Sequence, residues 1–207
     1  MIADSPGRTG MPNSAEETAD AAVAAVEAAA AVGLCDPERA VLAGRSSGGH
    51  AVTLALTATD RFRAAITCSG PYNLTSWFGA LRVVGHGKVD LPGAGLAAVG
   101  GRPWDAGHRC DLSPVFAVDS ITTPLLLVHG ALDTRVPVGQ SDELFTALTV
   151  LNRPVTYFRA PDEEHSEWRP DAQARLLATT LEFLQKYTDS SSPGDARQKR
   201  LFAPIRG

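Results

Sequence analysis

Apolar residues in this chain gather into short continuous runs separated by stretches of helical spacing, a pattern of strands buried on both faces with helices between them. The runs are Ala40-Val41-Leu42-Ala43, Ala64 to Cys68, Leu125-Leu126-Leu127-Val128-His129-Gly130 and Val155-Thr156-Tyr157-Phe158. Ahead of the first, Ser14 reads as an N-cap with Glu17 three residues on, and Val23 and Val26 mark the apolar face of a helix ending near Gly33. Asp36-Pro37 then turns the chain into the strand. Val52, Leu54 and Leu56 belong to a helix too uniformly apolar to be a surface one. Leu144, Leu148 and Leu151 recur at helical spacing, as do Leu177, Leu181 and Leu184, and both stripes predict helix faces packed on a sheet. Strands alternating with helices imply an α/β fold with a mostly parallel sheet.

Residues 70–114 break this rhythm. Gly79, Gly85, Gly87, Gly93, Gly95, Gly100 and Gly101 are scattered among apolar residues there, which reads as a lid or pocket insertion. The expected organisation is a flexible N-terminus at 1–13, one domain at 14–187 and a disordered tail at 188–207, with no internal repeat. A length of 207 residues with 44% hydrophobic content suits a single sizeable core. A net charge of −4 gives no electrostatic footprint for nucleic acid, and the basic residues Arg197, Lys199, Arg200 and Arg206 read as a solvated terminus. Cys35, Cys68 and Cys110 have the spacing of neither a disulfide framework nor a zinc site. The first 13 residues contain no apolar signal core, and Glu27 interrupts the alanine-rich run before a membrane-spanning length, so a cytoplasmic location without membrane association is expected.

The chemistry centres on Gly44-Arg45-Ser46-Ser47-Gly48, between an apolar run and a helical stretch. A serine presented on a sharp strand-to-helix turn needs glycines two residues away on each side, and this nucleophile elbow aims the first N–H groups of the helix at the reacting centre. Ser46 is the expected attacking residue and the Ser47 N–H the expected oxyanion donor. The motif calls for an acid and then a histidine, each on a loop after a later strand. Asp133 follows the Leu125–Gly130 run and His165 follows the Val155–Phe158 run. His165 would take the serine proton and return it to the leaving group, while Asp133 would hold the imidazole in the right tautomer. No metal or other cofactor is needed.

Asp36-Pro37-Glu38-Arg39-Ala40-Val41-Leu42-Ala43-Gly44, Thr59-Asp60-Arg61-Phe62-Arg63-Ala64-Ala65, and Thr123-Pro124-Leu125 through Val136-Pro137 together resemble the catalytic domain of prolyl oligopeptidase-type serine peptidases. This group includes the acylaminoacyl-peptidases and dipeptidyl-peptidases. The resemblance runs from about Glu16 to Tyr187, with Arg135-Val136-Pro137 after the acid and Pro161 before the histidine also fitting. It implies an α/β-hydrolase fold, a triad at Ser46, Asp133 and His165, and pocket walls at Trp77 and Phe78 facing Val136. The chain departs from the family pattern at Ser47 and His50, where aromatic residues are usual, and at Glu164, where a glycine normally precedes the histidine. Ser-x-Gly-Gly-His is closer to some esterases. The chain begins at about the helix before the nucleophile strand, so only the C-terminal part of the fold is expected. The loop that completes the oxyanion hole would then be missing, and one lost donor costs on the order of 100- to 1,000-fold in turnover.

Other features weigh less. His50 and His129 read as structural, and His86 and His108 sit in the insertion with no ligand spacing. Gly85-His86-Gly87-Lys88 fails as a phosphate loop, because Arg82 holds the first glycine position and Val89 replaces the magnesium-binding hydroxyl. Asp162, Glu163 and Glu164 read as a solvated acidic loop whose charge would favour a protonated imidazole nearby. The leading expectation is a peptidase acting on peptide or small acyl substrates through an acyl-enzyme. The alternatives are a carboxylesterase, or an inactive or partner-dependent fragment. In the last case the nucleophile strand is an exposed apolar edge through which copies of the chain could pair.

Overall fold

Each of the four apolar runs forms a strand in the computed structural model, which describes residues 14–80, 82–84, 88–90 and 110–189. β1 (Val41–Arg45) and β2 (Ala64–Cys68) precede a separate antiparallel pair, β3 (Arg82–Val84) with β4 (Lys88–Asp90). β5 (Leu125–Gly130) and β6 (Val155–Ala160) complete the main sheet, whose order is β1-β2-β5-β6 with every pair parallel. One row of the register runs from Gly44 through Thr67 and Leu127 to Tyr157. The sequence-based expectations for residues 1–13, for 190–207, for Gly85 to Gly87 with His86, for Gly93 to Gly101 and for His108 lie outside the described residues.

Helices cover both faces of this sheet. α1 (Ala15–Ala31) starts as expected, with Ser14 Oγ accepting the Glu17 N–H at 3.1 Å. It ends where Gly33, at φ +75°, lets the Leu34 N–H reach back to the Ala29 carbonyl at 2.9 Å. α2 (Ser47–Ala55) and α4 (Gly139–Val150) lie with α1 on one face, and α5 (Pro170–Thr188) lies on the other, while the short α3 (Leu74–Gly79) follows β2. β5 is the central spine. Leu125 and Leu127 point into the core with Val52, Leu56, Leu144 and Leu148, whereas Leu126 and Val128 point to Phe183. All four are essentially free of solvent, each stabilising the fold by about 1.5–3 kcal/mol.

The stripe at Leu144, Leu148 and Leu151 packs on the core as its spacing suggests. Of the stripe at Leu177, Leu181 and Leu184, only Leu184 packs on the sheet. Leu177 and Leu181 remain 59% and 52% exposed, and α5 instead turns Ala172, Leu176, Phe183, Leu184 and Tyr187 inward. Two overlapping apolar stripes run along this helix, and the one bearing the larger rings wins the sheet. Phe183 packs on Ala64, Leu126 and Val128 and lies tilted against Tyr187 at 4.9 Å, while Trp168, just before the helix, lies over Phe158 at 6.1 Å, so the face with the larger buried area is the one turned to the sheet.

Among the described strands, β1 and β6 are the two edges of the sheet. The Ser46 N–H donates to the Cys68 carbonyl and the Ala40 carbonyl accepts the Arg63 N–H, so even-numbered residues face β2. Val41, Ala43 and Arg45 therefore turn their backbone groups away from the sheet. Beside them runs a groove of about 1260 Å³ with apolar walls that include Ala22, Val26, Val41, Ile66 and Leu184. Among the described residues no helix is long and apolar enough to cross a membrane.

Candidate active site

The turn from β1 into α2 carries its strain at one residue. Ser46 sits at φ 55° and ψ −121°, a conformation that costs a non-glycine residue on the order of 1–3 kcal/mol. Although it occupies the N-cap position, its side chain caps nothing. The two flanking glycines differ. A Cβ on Gly44 would collide with the Gly48 carbonyl and lie 2.9 Å from Val52 Cγ2, whereas a Cβ on Gly48 would meet nothing within 4 Å. The close approach thus demands glycine before the serine, and Gly48 contributes its backbone rather than its missing side chain. Ser47 is the first residue of α2, so its N–H belongs to the unsatisfied helix terminus beside Ser46.

Neighbouring strands lie about 4.8 Å apart, so Ser46 at the end of β1 and Asp133 beyond β5 are separated by roughly two spacings, too far to touch. His165 bridges them. Its Nδ1 lies 2.6 Å from Asp133 Oδ2 and its Nε2 3.2 Å from Ser46 Oγ. With Nδ1–H donating to the carboxylate, Nε2 is left to accept the serine proton. The imidazole side chain is 11% exposed and the carboxylate is wholly buried.

Reaching back from β6 requires a shaped loop. The Ala131 N–H donates to the Ala160 carbonyl and the Leu132 N–H to the Glu163 carbonyl at 2.9 Å. A Cβ on Gly130 would strike the Glu163 carbonyl, so the loop crosses directly over the end of β5. Glu163 corrects the expectation of a uniformly solvated acidic run. It is only 3% exposed, and its carboxylate accepts Arg169 Nε at 2.7 Å and the Arg169 N–H at 3.0 Å, closing the loop around His165. The Arg169 guanidinium holds the Glu163 carboxyl below its usual range. Asp162 and Glu164 are exposed as expected.

Asp133 is heavily supported. Oδ1 accepts the N–H groups of Arg135 at 2.9 Å and Val136 at 2.8 Å. Burial alone would push its pKa up, but the His129 N–H beside it, the hydrogen bond from His165 and that from the Val136 N–H together overcome it and hold the carboxyl far below the normal range. The sequence reading missed this part for His129. That residue does not merely end a strand; its Nε2 lies 3.2 Å from Asp133 Oδ2. Two oxygen acceptors seen only in three dimensions give it that place.

The remaining expected residues fall nearby. Trp77 and Phe78 lie on α3, and Trp77 Nε1 donates to the Arg135 carbonyl at 3.4 Å, which brings it next to the neighbour of Val136. Val136 itself is buried, 4% exposed, and gives its N–H to Asp133 and its carbonyl to His129. His50 is fully buried behind the elbow, with Nε2 2.7 Å from the Leu112 carbonyl and Nδ1 without a partner. Among the described residues no three His, Cys, Asp or Glu side chains are grouped to hold a metal ion, and Cys35, Cys68 and Cys110 are free thiols.

A parallel sheet flanked by helices, with its serine on a strand-to-helix turn, is part of an α/β-hydrolase fold. The comparisons agree. A model of the prolyl oligopeptidase family matches residues 8–191. Dipeptidyl peptidase family member 6 of Caenorhabditis elegans is 32% identical over 190 residues, covering 87% of this chain and 25% of that protein. Dipeptidyl aminopeptidase BIII of Pseudoxanthomonas mexicana is 33% identical over 169 residues, covering 80% and 24%. Among solved structures, a puromycin-hydrolyzing peptidase of Mycobacterium tuberculosis superposes with a TM-score of 0.76 at 27% identity, over 88% of this chain and 27% of that one. The uncomplexed acylaminoacyl peptidase of Pyrococcus horikoshii gives 0.75 at 25% identity, over 94% and 31%. The chain belongs to the prolyl oligopeptidase family, and it spans about a quarter of the length of the curated relatives it matches.

Proposed function

We propose that this chain carries the catalytic triad of a serine peptidase that cleaves peptide or related acyl bonds through an acyl-enzyme. The observation that carries the reading is the unbroken line from Ser46 Oγ through the His165 ring to Asp133 Oδ2, at 3.2 and 2.6 Å. Ser46 Oγ attacks the carbonyl carbon as its proton passes to His165 Nε2, and the Ser47 N–H stabilises the oxyanion. Collapse of that intermediate breaks the acyl bond and sends the proton to the leaving amine. Water then repeats the sequence on the acyl-serine. Trp77, Phe78 and Val136 would line the pocket for the residue before the cleaved bond. Relatives named as dipeptidyl and acylaminoacyl peptidases favour a peptide substrate over a simple ester. Labelling with a fluorophosphonate probe tests the triad: an adduct lost in Ser46→Ala is expected, and an intact chain that takes no probe overturns it. Turnover of short-chain esters with none of peptidyl anilides would shift the reading to a carboxylesterase.

A second reading is favoured by the open edge of β1. Among the described residues nothing pairs the outward backbone groups of Val41, Ala43 and Arg45, which lie above an apolar groove immediately upstream of Ser46. Activity would then depend on a further extended stretch of polypeptide, apolar on both faces, hydrogen-bonded along β1 and completing the oxyanion site. Analytical ultracentrifugation combined with probe labelling decides this. A monomer that labels at the rate of a complete family enzyme refutes the dependence, and a self-associated species that loses both assembly and labelling on Ala43→Pro makes a second copy the occupant.

A further inference from the structure

Asp133 Oδ2 is shared by two imidazoles. His165 Nδ1 takes one side of the oxygen at 2.6 Å, and His129 Nε2 faces the other at 3.2 Å. The proton on His129 can be assigned from its surroundings. Nε2 also lies 2.9 Å from the Val136 carbonyl, so two oxygens that can only accept converge on it, and Nε2 must carry hydrogen. In the neutral ring Nδ1 is then the acceptor, and Ser141 Oγ, 2.6 Å away on the first turn of α4, donates to it. Both the His129 ring and Ser141 are wholly buried, so no water substitutes for either bond.

We propose that His129 is a positioning residue for the Asp133–His165 pair, held in its donor tautomer by Ser141. The inference rests on the triad reading above and extends it by two residues, giving the line Ser141–His129–Asp133–His165–Ser46. Its physical content is orientation. The two N–H bonds on Oδ1 fix one side of the carboxylate, but Oδ2 can swing unless something opposes the pull of His165. The His129 N–H, given to the Val136 carbonyl at 2.9 Å, keeps its positive end 3.2 Å from Oδ2, and in the carboxylate's own low-dielectric surroundings that electrostatic attraction supplies the opposition. Without it, the attraction on that side of Oδ2 is lost and the Val136 carbonyl loses its donor, so the loop carrying Asp133 relaxes and the carboxylate rotates, carrying the imidazole out of line with Ser46 Oγ.

Three variants test this: His129→Gln, which keeps an N–H near the place of Nε2; His129→Leu, which keeps the bulk without the donor; and Ser141→Ala. Two measurements accompany them, the rate of fluorophosphonate labelling at Ser46 and the far-downfield NMR signal of the His165 Nδ1 proton on Asp133. Labelling is expected to fall about 10- to 100-fold in His129→Leu, the range typical for losing an outer-shell partner, and to stay within about threefold of the parent in His129→Gln. The downfield proton should be displaced or lost in the leucine variant and retained in the glutamine variant. Equal losses in both, or a leucine variant that labels like the parent, overturn the proposal. If His129→Leu does not fold, Ser141→Ala carries the same test through a displaced proton signal and slower labelling, and no change in either overturns it. If the parent takes no probe while the proton signal still responds to leucine but not to glutamine, the positioning role stands and the proposed function falls.

Discussion

His50 couples acid pH to the stability of the nucleophile elbow. It lies on α2 four residues after Ser46, fully buried, and donates from Nε2 to the Leu112 carbonyl while Nδ1 has no partner. Burial lowers its pKa from 6.5 to about 4, with the hydrogen bond to Leu112 opposing the shift only in part. A base whose folded pKa is depressed is protonated first in the unfolded chain. Its contribution is therefore fully present above the unfolded value and is lost as pH falls from 6.5 towards about 4. The whole gap is worth about 3 kcal/mol, and about 2 kcal/mol of it is lost between about pH 7 and pH 5, before most carboxylates begin to protonate. Such a loss is a large fraction of the stability of a domain. His50→Gln keeps a donor for Leu112 and cannot titrate in this range. Urea unfolding of the two proteins across that interval should give a falling midpoint for the parent and a nearly level one for the variant. Parallel slopes would refute the assignment, because they would place the proton uptake on some other group.

Three further outcomes are expected. Gly44→Ala should abolish Ser46 labelling and destabilise the fold by at least about 1–3 kcal/mol, because its methyl group meets backbone, while Gly48→Ala should leave stability unchanged or raise it by up to about 1 kcal/mol in urea unfolding. Glu163 is held below its ordinary 4.5 by Arg169, so its clamp is complete above that pH and is lost only as pH falls through the lowered value. The hydrogen-exchange protection factor of the Leu132 amide, which donates to the Glu163 carbonyl, should hold level down to the lowered value in the parent and be smaller throughout in Glu163→Gln. Replacing exposed Leu177 and Leu181 by Gln should change unfolding free energy by no more than about 0.5 kcal/mol each, whereas Phe183→Ala should cost about 3–5 kcal/mol.

The strands were legible because their signals are local, and Ser46, Asp133 and His165, which the structure brings into one line, each follow such a run in the sequence. A run such as Leu125 to Val128 reads as buried on both faces, and a serine between glycines, a weak signal by itself, gains weight from the strand before it and the helix after it. The face that α5 presents was not legible in the same way. Its apolar residues fall on two stripes that share Leu184, and spacing alone cannot rank them. The ranking comes from partners, since Phe183, Tyr187 and Trp168 find aromatic neighbours and Leu177 and Leu181 find none. Glu163 and His129 escaped for a related reason. An acidic triplet reads as solvated until Arg169 is seen folding back onto its middle member, and a strand-end histidine reads as structural until the loop after β5 returns the Val136 carbonyl and the Asp133 carboxylate to it.

The position of the elbow at the edge of the sheet constrains what can complete the site. On its β2 side Ser46 is already committed, its N–H given to the Cys68 carbonyl, and the next residue there, Ser69, is fully buried with its own N–H turned to Val128. The imidazole occupies the side towards β5. If the Ser47 N–H acts as proposed, a second oxyanion donor would approach from beyond β1, where among the described residues nothing pairs the backbone groups of Val41, Ala43 and Arg45 and the groove supplies apolar walls. A strand laid there would satisfy the edge and end beside Ser46 at the same level of the sheet. On the proposed function, the edge of β1 that no described residue pairs and the need for a second oxyanion donor would be met by one and the same stretch of polypeptide.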